Sequence, residues 1–310
     1  MSIHDLVTYT IIRSMKNYLV TGGAGFIGSN IVDELVNRGD RVTILDNLST
    51  GNRENVNSKA AFVNADIREL EEIAQTFKGV EGVFHLAAFP RVQTSIEDPG
   101  MTNGHNVTGT LNVLLAARDA GVRRVVYSAS SAAYGDASSL PTREDSQISP
   151  MSPYGLQKYI GEEYCRLFSL LYGLQAVSLR YFNVYGSRMT DSGAYYTVIK
   201  AHLNQRAKNQ PLLITGDGKQ TRDFIHVRDV ARANILAMES NNVGNGEVIN
   251  IGSGKSHSIN EIASYIGGRV KHIPSRIEPR DTLANITLAK KLLGWKPKED
   301  LPRAIKELLT

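Results

Sequence analysis

Thr21-Gly22-Gly23-Ala24-Gly25-Phe26-Ile27-Gly28 follows a short apolar run and opens a pattern typical of a helix. Its glycines at 22, 25 and 28 have the spacing G-x-x-G-x-x-G. We expect the first glycine to permit a tight turn and the second to let backbone N–H groups approach a pyrophosphate. The third lets the helix pack closely on the strand, and the helix N-terminus adds partial positive charge. The segment therefore predicts a dinucleotide-binding loop.

A carboxylate stands at the end of the second predicted strand. Asp46 lies 18 positions after Gly28 and can accept hydrogen bonds from the hydroxyls of an adenosine ribose. The same charge would repel a 2′-phosphate. Unless Asp46 is an ordinary turn residue at a strand end, it predicts NAD rather than NADP as the cofactor.

Short apolar runs alternate with helical patterns in the first half of the chain, which is typical of a parallel sheet. Their apolar continuity indicates strands buried on both faces. The predicted strands are 18–21, 42–45, 61–64, 83–86, 125–128 and 176–179, and the predicted helices are 27–37, 70–77, 108–120 and 154–171. Shorter elements rich in Pro and Gly follow, ending in a helix at 302–309. The fold class predicted is α/β, with a doubly wound parallel Rossmann sheet and a smaller mixed α/β substrate-binding lobe.

This pattern also predicts the domain organisation. We expect residues 1–15 to form an N-terminal extension and 16–182 to form the dinucleotide-binding domain, with return segments near 224–251. Residues 183–310 are expected to form mainly the second lobe. The extension has no small-residue cleavage site after an apolar core, so it does not resemble a signal peptide.

The composition limits the functions to consider. The chain has 310 residues, 42% of them hydrophobic and 21% charged, and a formal net charge of +4. Lys and Arg are spread along the chain and no apolar run approaches the roughly 18 residues that cross a bilayer. We therefore expect no nucleic-acid or membrane partner.

The single cysteine, Cys165, excludes an intrachain disulfide and fits the cytoplasmic location that we expect. None of the seven histidines forms a pair with metal-ligand spacing, so no metal site is predicted.

A tyrosine and a lysine four residues apart begin the fourth predicted helix, so Tyr154 and Lys158 point from one helix face. A phenol is a weak base at its usual pKa of about 10, but a nearby ammonium and a cationic nicotinamide favour the phenolate. The pair follows a strand that ends in Tyr127-Ser128-Ala129-Ser130. A serine hydroxyl there can hold the substrate oxygen that Tyr154 deprotonates. The spacing alone does not choose among the serines at 128, 130 and 131.

Together these elements resemble the extended short-chain dehydrogenase/reductase family and, within it, the nucleotide-sugar epimerases. The resemblance runs from residue 18 to about residue 295. Its matching stretches are residues 21–28, Asp46-Asn47-Leu48, Ala65-Asp66-Ile67, His85-Leu86-Ala87-Ala88, Asn106 with Gly109-Thr110, Ala133-Tyr134-Gly135, Tyr154, Lys158, Arg180-Tyr181-Phe182-Asn183, Arg222-Asp223-Phe224-Ile225-His226-Val227 and Leu293-Gly294-Trp295.

The resemblance implies roles for individual residues. The catalytic Ser or Thr of this family lies four residues before a Tyr-Gly pair, here Tyr134-Gly135, which selects Ser130. The implied catalytic residues are then Ser130, Tyr154 and Lys158. The implied NAD-binding residues are Gly22, Gly25, Phe26, Ile27, Gly28, Asp46, Asn47, Thr50, Gly51, Asp66, Ile67, Leu86, Ala87, Ala88, Asn106, Ser128, Tyr154, Lys158 and Phe182.

The substrate-binding residues implied by the resemblance lie mostly in the second lobe. They are Ser130, Tyr154, Asn183, Thr197, Val198, Arg222, Arg276, Arg280 and Thr282. Asn183 and Arg222 match residues that grip a diphosphate, which an amide and a guanidinium can do. The stretch 276–285 departs from the Arg-x-Gly-Asp pattern of relatives, so either Arg276 or Arg280 is expected to serve the second phosphate. Thr282 falls beside the sugar's 2-position, and its small side chain leaves room for an N-acetyl group.

The activity implied by the resemblance is an NAD-dependent 4-epimerase of UDP-hexoses. It would interconvert UDP-glucose and UDP-galactose through a transient 4-keto sugar and tolerate UDP-GlcNAc and UDP-GalNAc. A nucleotide-sugar 4,6-dehydratase is the nearest alternative, but it needs carboxyl groups directly after the catalytic hydroxyl, where this chain has Ser131-Ala132. Other sugar-nucleotide epimerases or reductases stay open. An NAD-sensing scaffold protein would be expected to lack the Tyr or the Lys.

Relatives dimerise through helices equivalent to 108–120 and 154–171, so we expect a homodimer.

Overall fold

A computed structural model describes residues 15–190, 197–275 and 278–309. Arg276 and all of the expected N-terminal extension except Met15 therefore lie outside the described residues. The strands are β1 (Asn17–Thr21), β2 (Arg41–Leu45), β3 (Ala61–Val63), β4 (Gly82–His85), β5 (Arg124–Ser130), β6 (Gln175–Tyr181), β7 (Asn183–Tyr185), β8 (Leu212–Thr215), β9 (Thr221–His226), β10 (Asn245–Ile251), β11 (Ser256–Ser258) and β12 (Val270–Ile273).

The helices connect these strands in the alternating manner predicted from the sequence. They are α1 (Phe26–Asn37), α2 (Leu70–Ile73), α3 (Val92–Glu97), α4 (Pro99–Asn103), α5 (Gly109–Asp119), α6 (Pro153–Tyr172), α7 (Val198–Ala207), α8 (Val227–Glu239), α9 (Ile259–Ile266), α10 (Thr287–Leu293) and α11 (Leu301–Glu307). None of the helices in the described part of the chain has the length and apolar character needed to cross a membrane.

The central sheet has seven parallel strands in the order β10-β6-β5-β4-β1-β2-β3. Residues of β1, β2, β4, β5 and β6 contribute to two separate hydrophobic cores, one on each face of the sheet. On β1, Tyr18 and Val20 join the core that contains α1 and α8, whereas Leu19 joins the core that contains α5 and α6. Helices therefore cover both faces, and the predicted doubly wound α/β fold is confirmed.

The edge strand β10 reaches the sheet from the C-terminal half of the chain. It pairs with β6 from Asn245↔Ala176 to Ile251↔Tyr181. The remaining strands form a three-stranded sheet, β11-β9-β7, and a two-stranded sheet, β12-β8. Of the residues predicted to bind substrate, Asn183 lies on β7 and Arg222 on β9 of the three-stranded sheet, whereas Ser130 and Tyr154 belong to the large sheet and to α6.

Two predicted helices differ from the structure in detail. The helix expected at 70–77 is the single α-turn α2 followed by a 3₁₀ turn, Ala74–Phe77. The helix expected from residue 108 is preceded by α4 and a π-helical turn, Gly104–Thr108. Such a turn inserts one extra residue into the helix and often occurs at functional sites. It places Asn106 against the loop that follows β4.

Candidate active site

The glycine-rich loop connects β1 to α1, and its backbone needs glycine. Gly22 has φ +70°, and a Cβ on it would lie 2.6 Å from the Ala87 amide nitrogen. A Cβ on Gly28 would overlap the carbonyl oxygen of Gly22. Gly25 is the N-cap of α1 and carries no side chain that could cap the first N–H groups of the helix. These groups can therefore face an anionic ligand.

The carboxylate of Asp46 closes one side of this loop. Its Oδ2 accepts a 3.0 Å hydrogen bond from the Ala24 amide, and its Oδ1 accepts a 2.8 Å bond from the Leu48 amide. Burial raises the pKa of Asp46, and the two amide bonds oppose that rise. Each oxygen keeps a lone pair that a ribose hydroxyl could use.

A cleft of about 1050 Å³ opens along the carboxyl ends of the central strands. Of the residues predicted to bind NAD, those that line the cleft are Gly22, Gly25, Phe26, Ile27, Gly28, Asp46, Asn47, Thr50, Ile67, Leu86, Ala87, Ala88, Ser128, Tyr154 and Lys158. The glycine cradle, the carboxylate and the apolar walls together suit a dinucleotide.

Four residues predicted to bind NAD are absent from the lining of this cleft, although the structure describes all four. A Cβ on Gly51 would lie 2.9 Å from Asp46 Oδ1, so Gly51 lies behind that carboxylate. Asp66 accepts hydrogen bonds from Asn47 at 2.8 Å and from Arg68, which lower its pKa. Phe182 is buried beside Tyr134. The fourth, Asn106, bonds both the amide and the carbonyl of Phe89 and so fixes the loop after β4.

Sequence reasoning missed several residues that line the same cleft: Leu45, Ser49, Ala65, Pro90, Arg91, His105, Ala129, Tyr181 and Thr190. Arg91 brings a guanidinium into the cleft wall. Its Nε is buried and has no hydrogen-bond partner within the described residues. Arg91 follows the strand-end stretch 85–88 by three residues, and this position at the carboxyl end of a sheet strand was the available signal.

Ser130, Tyr154 and Lys158 come together where β5 ends and α6 begins. The Ser152 side chain caps α6 by accepting from the Gly155 amide at 3.2 Å, and Pro153 occupies the first turn. This start places Tyr154 directly under the end of β5. Burial raises the pKa of Tyr154 to about 12, and a hydrogen bond with Ser130 acts against that rise. The Lys158 ammonium donates to the Ser128 carbonyl at 2.7 Å, and burial lowers its pKa to about 8.

The second lobe brings Asn183 and Thr282 together. Asn183 Nδ2 donates to the Asp223 carbonyl at 3.2 Å and approaches Thr282 Oγ1 at 3.4 Å. The Thr282 hydroxyl in turn accepts from the Asp223 amide at 3.2 Å. Thr197 caps α7, which begins with Val198, and its hydroxyl contacts Met189 Sδ at 3.4 Å.

The arginines of this lobe face different partners. Arg222 is nearly buried and pairs with the Glu278 carboxylate at 3.0 Å, while it also donates to the Arg280 carbonyl. The exposed side chain of Arg280 pairs instead with Asp217 at 3.2 Å. The other candidate, Arg276, lies outside the described residues. The described residues contain no group of three or more His, Cys, Asp or Glu that could hold a metal ion.

A glycine loop at a helix N-terminus, the buried carboxylate of Asp46, and Tyr154 and Lys158 line one cleft, an arrangement typical of Rossmann enzymes of the short-chain dehydrogenase/reductase type. The family model for the NAD dependent epimerase/dehydratase family matches residues 18–252. The chain belongs to this family. It is a nucleotide-sugar epimerase, hence an isomerase, and its cofactor is NAD, as the sequence predicted.

Individual relatives match nearly the whole chain. A putative UDP-glucose 4-epimerase of Methanocaldococcus jannaschii is 45% identical over 300 residues, covering 94% of this chain and 96% of the relative. The structure of a UDP-N-acetylglucosamine 4-epimerase from Methanobrevibacter ruminantium, in complex with UDP-N-acetylmuramic acid, matches with a TM-score of 0.90 and 36% identity, covering 96% and 97%. A Thermotoga maritima UDP-glucose 4-epimerase with UDP-glucose matches with a TM-score of 0.89 and 37% identity, covering 94% and 97%.

Proposed function

We propose that this enzyme interconverts the C4 epimers of UDP-hexoses, UDP-glucose and UDP-galactose, and also accepts UDP-GlcNAc and UDP-GalNAc. The observation that carries the proposal is the placement of Tyr154 in the wall of the NAD cleft, one helical turn from Lys158 and near Ser130 at the end of β5. The relatives named above, which act on UDP-glucose or UDP-N-acetylglucosamine, support it.

The proposed chemistry starts at the 4-hydroxyl of the sugar. NAD⁺, when bound in the cleft, would supply the acceptor for the hydride that leaves C4 and the donor for its return. Tyr154 accepts the hydroxyl proton, and Ser130 holds the same oxygen. Lys158 must be charged to favour the phenolate of Tyr154, because a buried phenol with a pKa of about 12 is otherwise a weak base. When the hydride has returned to the opposite face of the 4-keto sugar, Tyr154 gives the proton back.

The substrate's diphosphate would be held by the second lobe while the sugar turns. Asn183 and Arg222 would supply an amide and a guanidinium to the diphosphate, and Arg222 would have to exchange Glu278 for a phosphate. Thr282 lies beside Asn183 and leaves space for an N-acetyl group at C2. Binding energy from the uridine diphosphate thus anchors the substrate without fixing the sugar.

The chain's residues favour this reaction over a 4,6-dehydratase. Elimination of water across C5 and C6 needs an acid beside the catalytic hydroxyl, and Ser131 and Ala132 follow Ser130.

We further propose a cytoplasmic homodimer. Leu170 and Leu171 are exposed at the end of α6, with 70% and 63% of their surface accessible, and would be covered by a partner. Light scattering would give the mass of the assembly.

The deciding experiment incubates the purified protein, without added reductant, with UDP-galactose and separately with UDP-GalNAc, and separates the products. We expect UDP-glucose and UDP-GlcNAc to appear, and no product with Tyr154→Phe. A 4-keto-6-deoxy product would instead identify a dehydratase. No turnover of either sugar would overturn the assignment to UDP-hexoses.

A further inference from the structure

The buried face of α6 carries a row of three polar side chains. Tyr154, Lys158 and Glu162 follow one another at intervals of four residues, so they lie on one helix face. All three are buried, and Glu162 is only 1% exposed. A carboxylate at such a position is costly unless it is paired and hydrogen-bonded. The proposed chemistry uses the first two and leaves Glu162 unexplained.

Glu162 has a dedicated partner on the neighbouring strand β6. Arg180 Nε donates to Glu162 Oε1 at 2.9 Å, and a terminal nitrogen donates to Oε2 at 2.6 Å. The guanidinium also lies over the Tyr134 ring, 4.5 Å from its centroid, and donates to the Glu144 carbonyl at 3.3 Å. Burial raises the pKa of Glu162, and the two hydrogen bonds from Arg180 oppose that rise. This bidentate bond holds Glu162 as a carboxylate.

Charged and titratable groups face the Lys158 ammonium from several elements. On its own helix these are Tyr154, Glu162 and Cys165, and Arg180 on β6 stands behind Glu162. From β5 the Tyr127 ring lies 4.9 Å from Nζ.

His85 on β4 faces the ammonium as well, and burial together with the charge of Lys158 lowers its pKa to about 3, so the ring is neutral. Burial raises the pKa values of Cys165 and Tyr154 to about 12, and that of Tyr127 also rises. At neutral pH, Glu162 is therefore the anion among the described groups that face Lys158.

We propose that Glu162, held by Arg180, is a positioning residue that keeps the Lys158 ammonium charged and directed at the Ser128 carbonyl, where it supports the reaction of Tyr154. The inference rests on the proposed function for its catalytic consequence. Its structural part, the control of Lys158 by a buried carboxylate one turn further along α6, is independent of the substrate.

The test is Glu162→Gln, which keeps the size of the side chain and removes its charge. Without the carboxylate, the pKa of Lys158 falls below its value of about 8. Removing an opposite charge at this range changes a pKa by about 1 unit or more. We expect the alkaline limb of the kcat profile to move to lower pH by about one unit, with KM for UDP-galactose changed less than twofold.

A second variant guards against misfolding. In Glu162→Gln the guanidinium of Arg180 is left buried without its partner, which is strongly destabilising. Glu162→Gln/Arg180→Met removes both charges and should fold. It must show an alkaline shift in the same direction, but a smaller one, because losing the Arg180 cation raises the pKa of Lys158 and partly offsets the loss of the carboxylate. Asp229→Asn is the matched control, because Asp229 is another buried acid with an arginine partner, Arg232, at 2.8 Å. We expect it to lower stability and leave the pH profile in place.

Lysine labelled with ¹³C at Cε gives a readout that needs no turnover. The Lys158 signal is assigned by its loss in Lys158→Met, and its titration midpoint is compared between the parent and both Glu162 variants. A lower midpoint in the variants supports the inference even if no UDP-sugar is turned over, which would defeat only the proposed function. An unchanged midpoint together with an unchanged alkaline limb would overturn it and leave Glu162 a purely structural residue.

Discussion

The Arg222 guanidinium pairs with the carboxylate of Glu278 at 3.0 Å. Arg222 is nearly buried, whereas Glu278 is well exposed. A diphosphate that binds Arg222 must therefore displace a carboxylate that already neutralises it. Glu278 would therefore compete with the substrate's diphosphate for the Arg222 guanidinium.

This pair predicts the effect of removing Glu278. In Glu278→Gln we expect KM for UDP-galactose to fall by about two- to fivefold, because a partly exposed ion pair is worth up to about 1 kcal/mol, while kcat stays the same. Steady-state kinetics measure both constants. Asp145→Asn, which frees the exposed Arg143 outside the predicted site, is the control and should leave KM unchanged. A rise in KM for Glu278→Gln would mean that this carboxylate itself contacts the substrate.

The glycine loop predicts a cofactor defect. A Cβ in Gly28→Ala would overlap the Gly22 carbonyl, so α1 and the loop must separate. We expect a loss in NAD affinity of about five- to 150-fold, since strain of this kind costs about 1–3 kcal/mol. Isothermal titration with NAD⁺ measures it. In the control Gly100→Ala, the added Cβ meets its nearest atom, Asp98 Oδ1, at 3.6 Å, an ordinary contact. Equal affinities in both variants would contradict this account of the loop.

The Asp46 carboxylate is expected to favour NAD⁺ over NADP⁺. Asp46→Asn removes the charge that would repel a 2′-phosphate but keeps an oxygen that can accept from the Ala24 amide. We expect NAD⁺ affinity to fall by about tenfold, because hydrogen bonds to charged groups are worth about 1.5–3 kcal/mol, and NADP⁺ affinity to rise. Titrations with both cofactors give the ratio of affinities. If the ratio stays constant, Asp46 does not contact the ribose.

Raising the pH through the pKa of Lys158 is expected to change stability and activity in opposite directions. Its pKa is lowered to about 8 in the folded protein, whereas the unfolded chain stays charged to about pH 10.4. Between these values the unfolded state binds more protons, so this group's contribution to stability rises with pH, and the cost of burying its charge is fully present below about pH 8. Over the same window activity should fall, because the ammonium is lost.

The measurable consequence is that Lys158→Met should be inactive and yet more stable than the parent at pH 7. The gain is on the order of 3 kcal/mol at most, at 1.36 kcal/mol per pKa unit. Urea unfolding at pH 7 and pH 10 measures it, and the difference between the two proteins should shrink at the higher pH. A variant less stable than the parent at pH 7 would show that the 2.7 Å bond to Ser128 outweighs the burial cost.

Thr282 predicts the range of sugars. Thr282→Tyr should depress turnover of UDP-GalNAc by at least tenfold and that of UDP-galactose much less, because the ring would fill the space beside C2. Thr282→Ser keeps the hydroxyl that accepts from the Asp223 amide and serves as the control. Parallel assays with the two substrates give the ratio. Equal losses for both sugars would place Thr282 away from C2.

The sequence carried most of the dinucleotide half of the site. The loop at 21–28 and the acid at 46 are local features, because strand ends and helix starts place them together in any doubly wound sheet. Tyr154 and Lys158 could also be predicted, because their helical spacing is a local feature. The position of Asn106 on a π-helical turn could not be predicted, since a single extra residue leaves no periodic signal in the sequence.

Contacts between distant segments were beyond prediction. The bond between Arg180 and Glu162 joins a strand to a helix, and the pairing of Arg222 with Glu278 joins strand β9 to the segment that follows β12. Neither pair has a characteristic spacing in the sequence from which the contact could be predicted. Arg91 was missed for a different reason: the strand-end motif before it drew attention to 85–88, and the chain beyond that point has no regular pattern until α3.

The position of β10 has a consequence for how the protein is made. Because β10 consists of residues 245–251, the outer side of β6 stays unpaired during translation until this segment has left the ribosome. An unpaired strand edge is a template for pairing with other chains. The nascent enzyme is thus exposed to aggregation in the interval between the synthesis of β6 and that of β10, and a truncated chain that ends before residue 245 would stay so permanently.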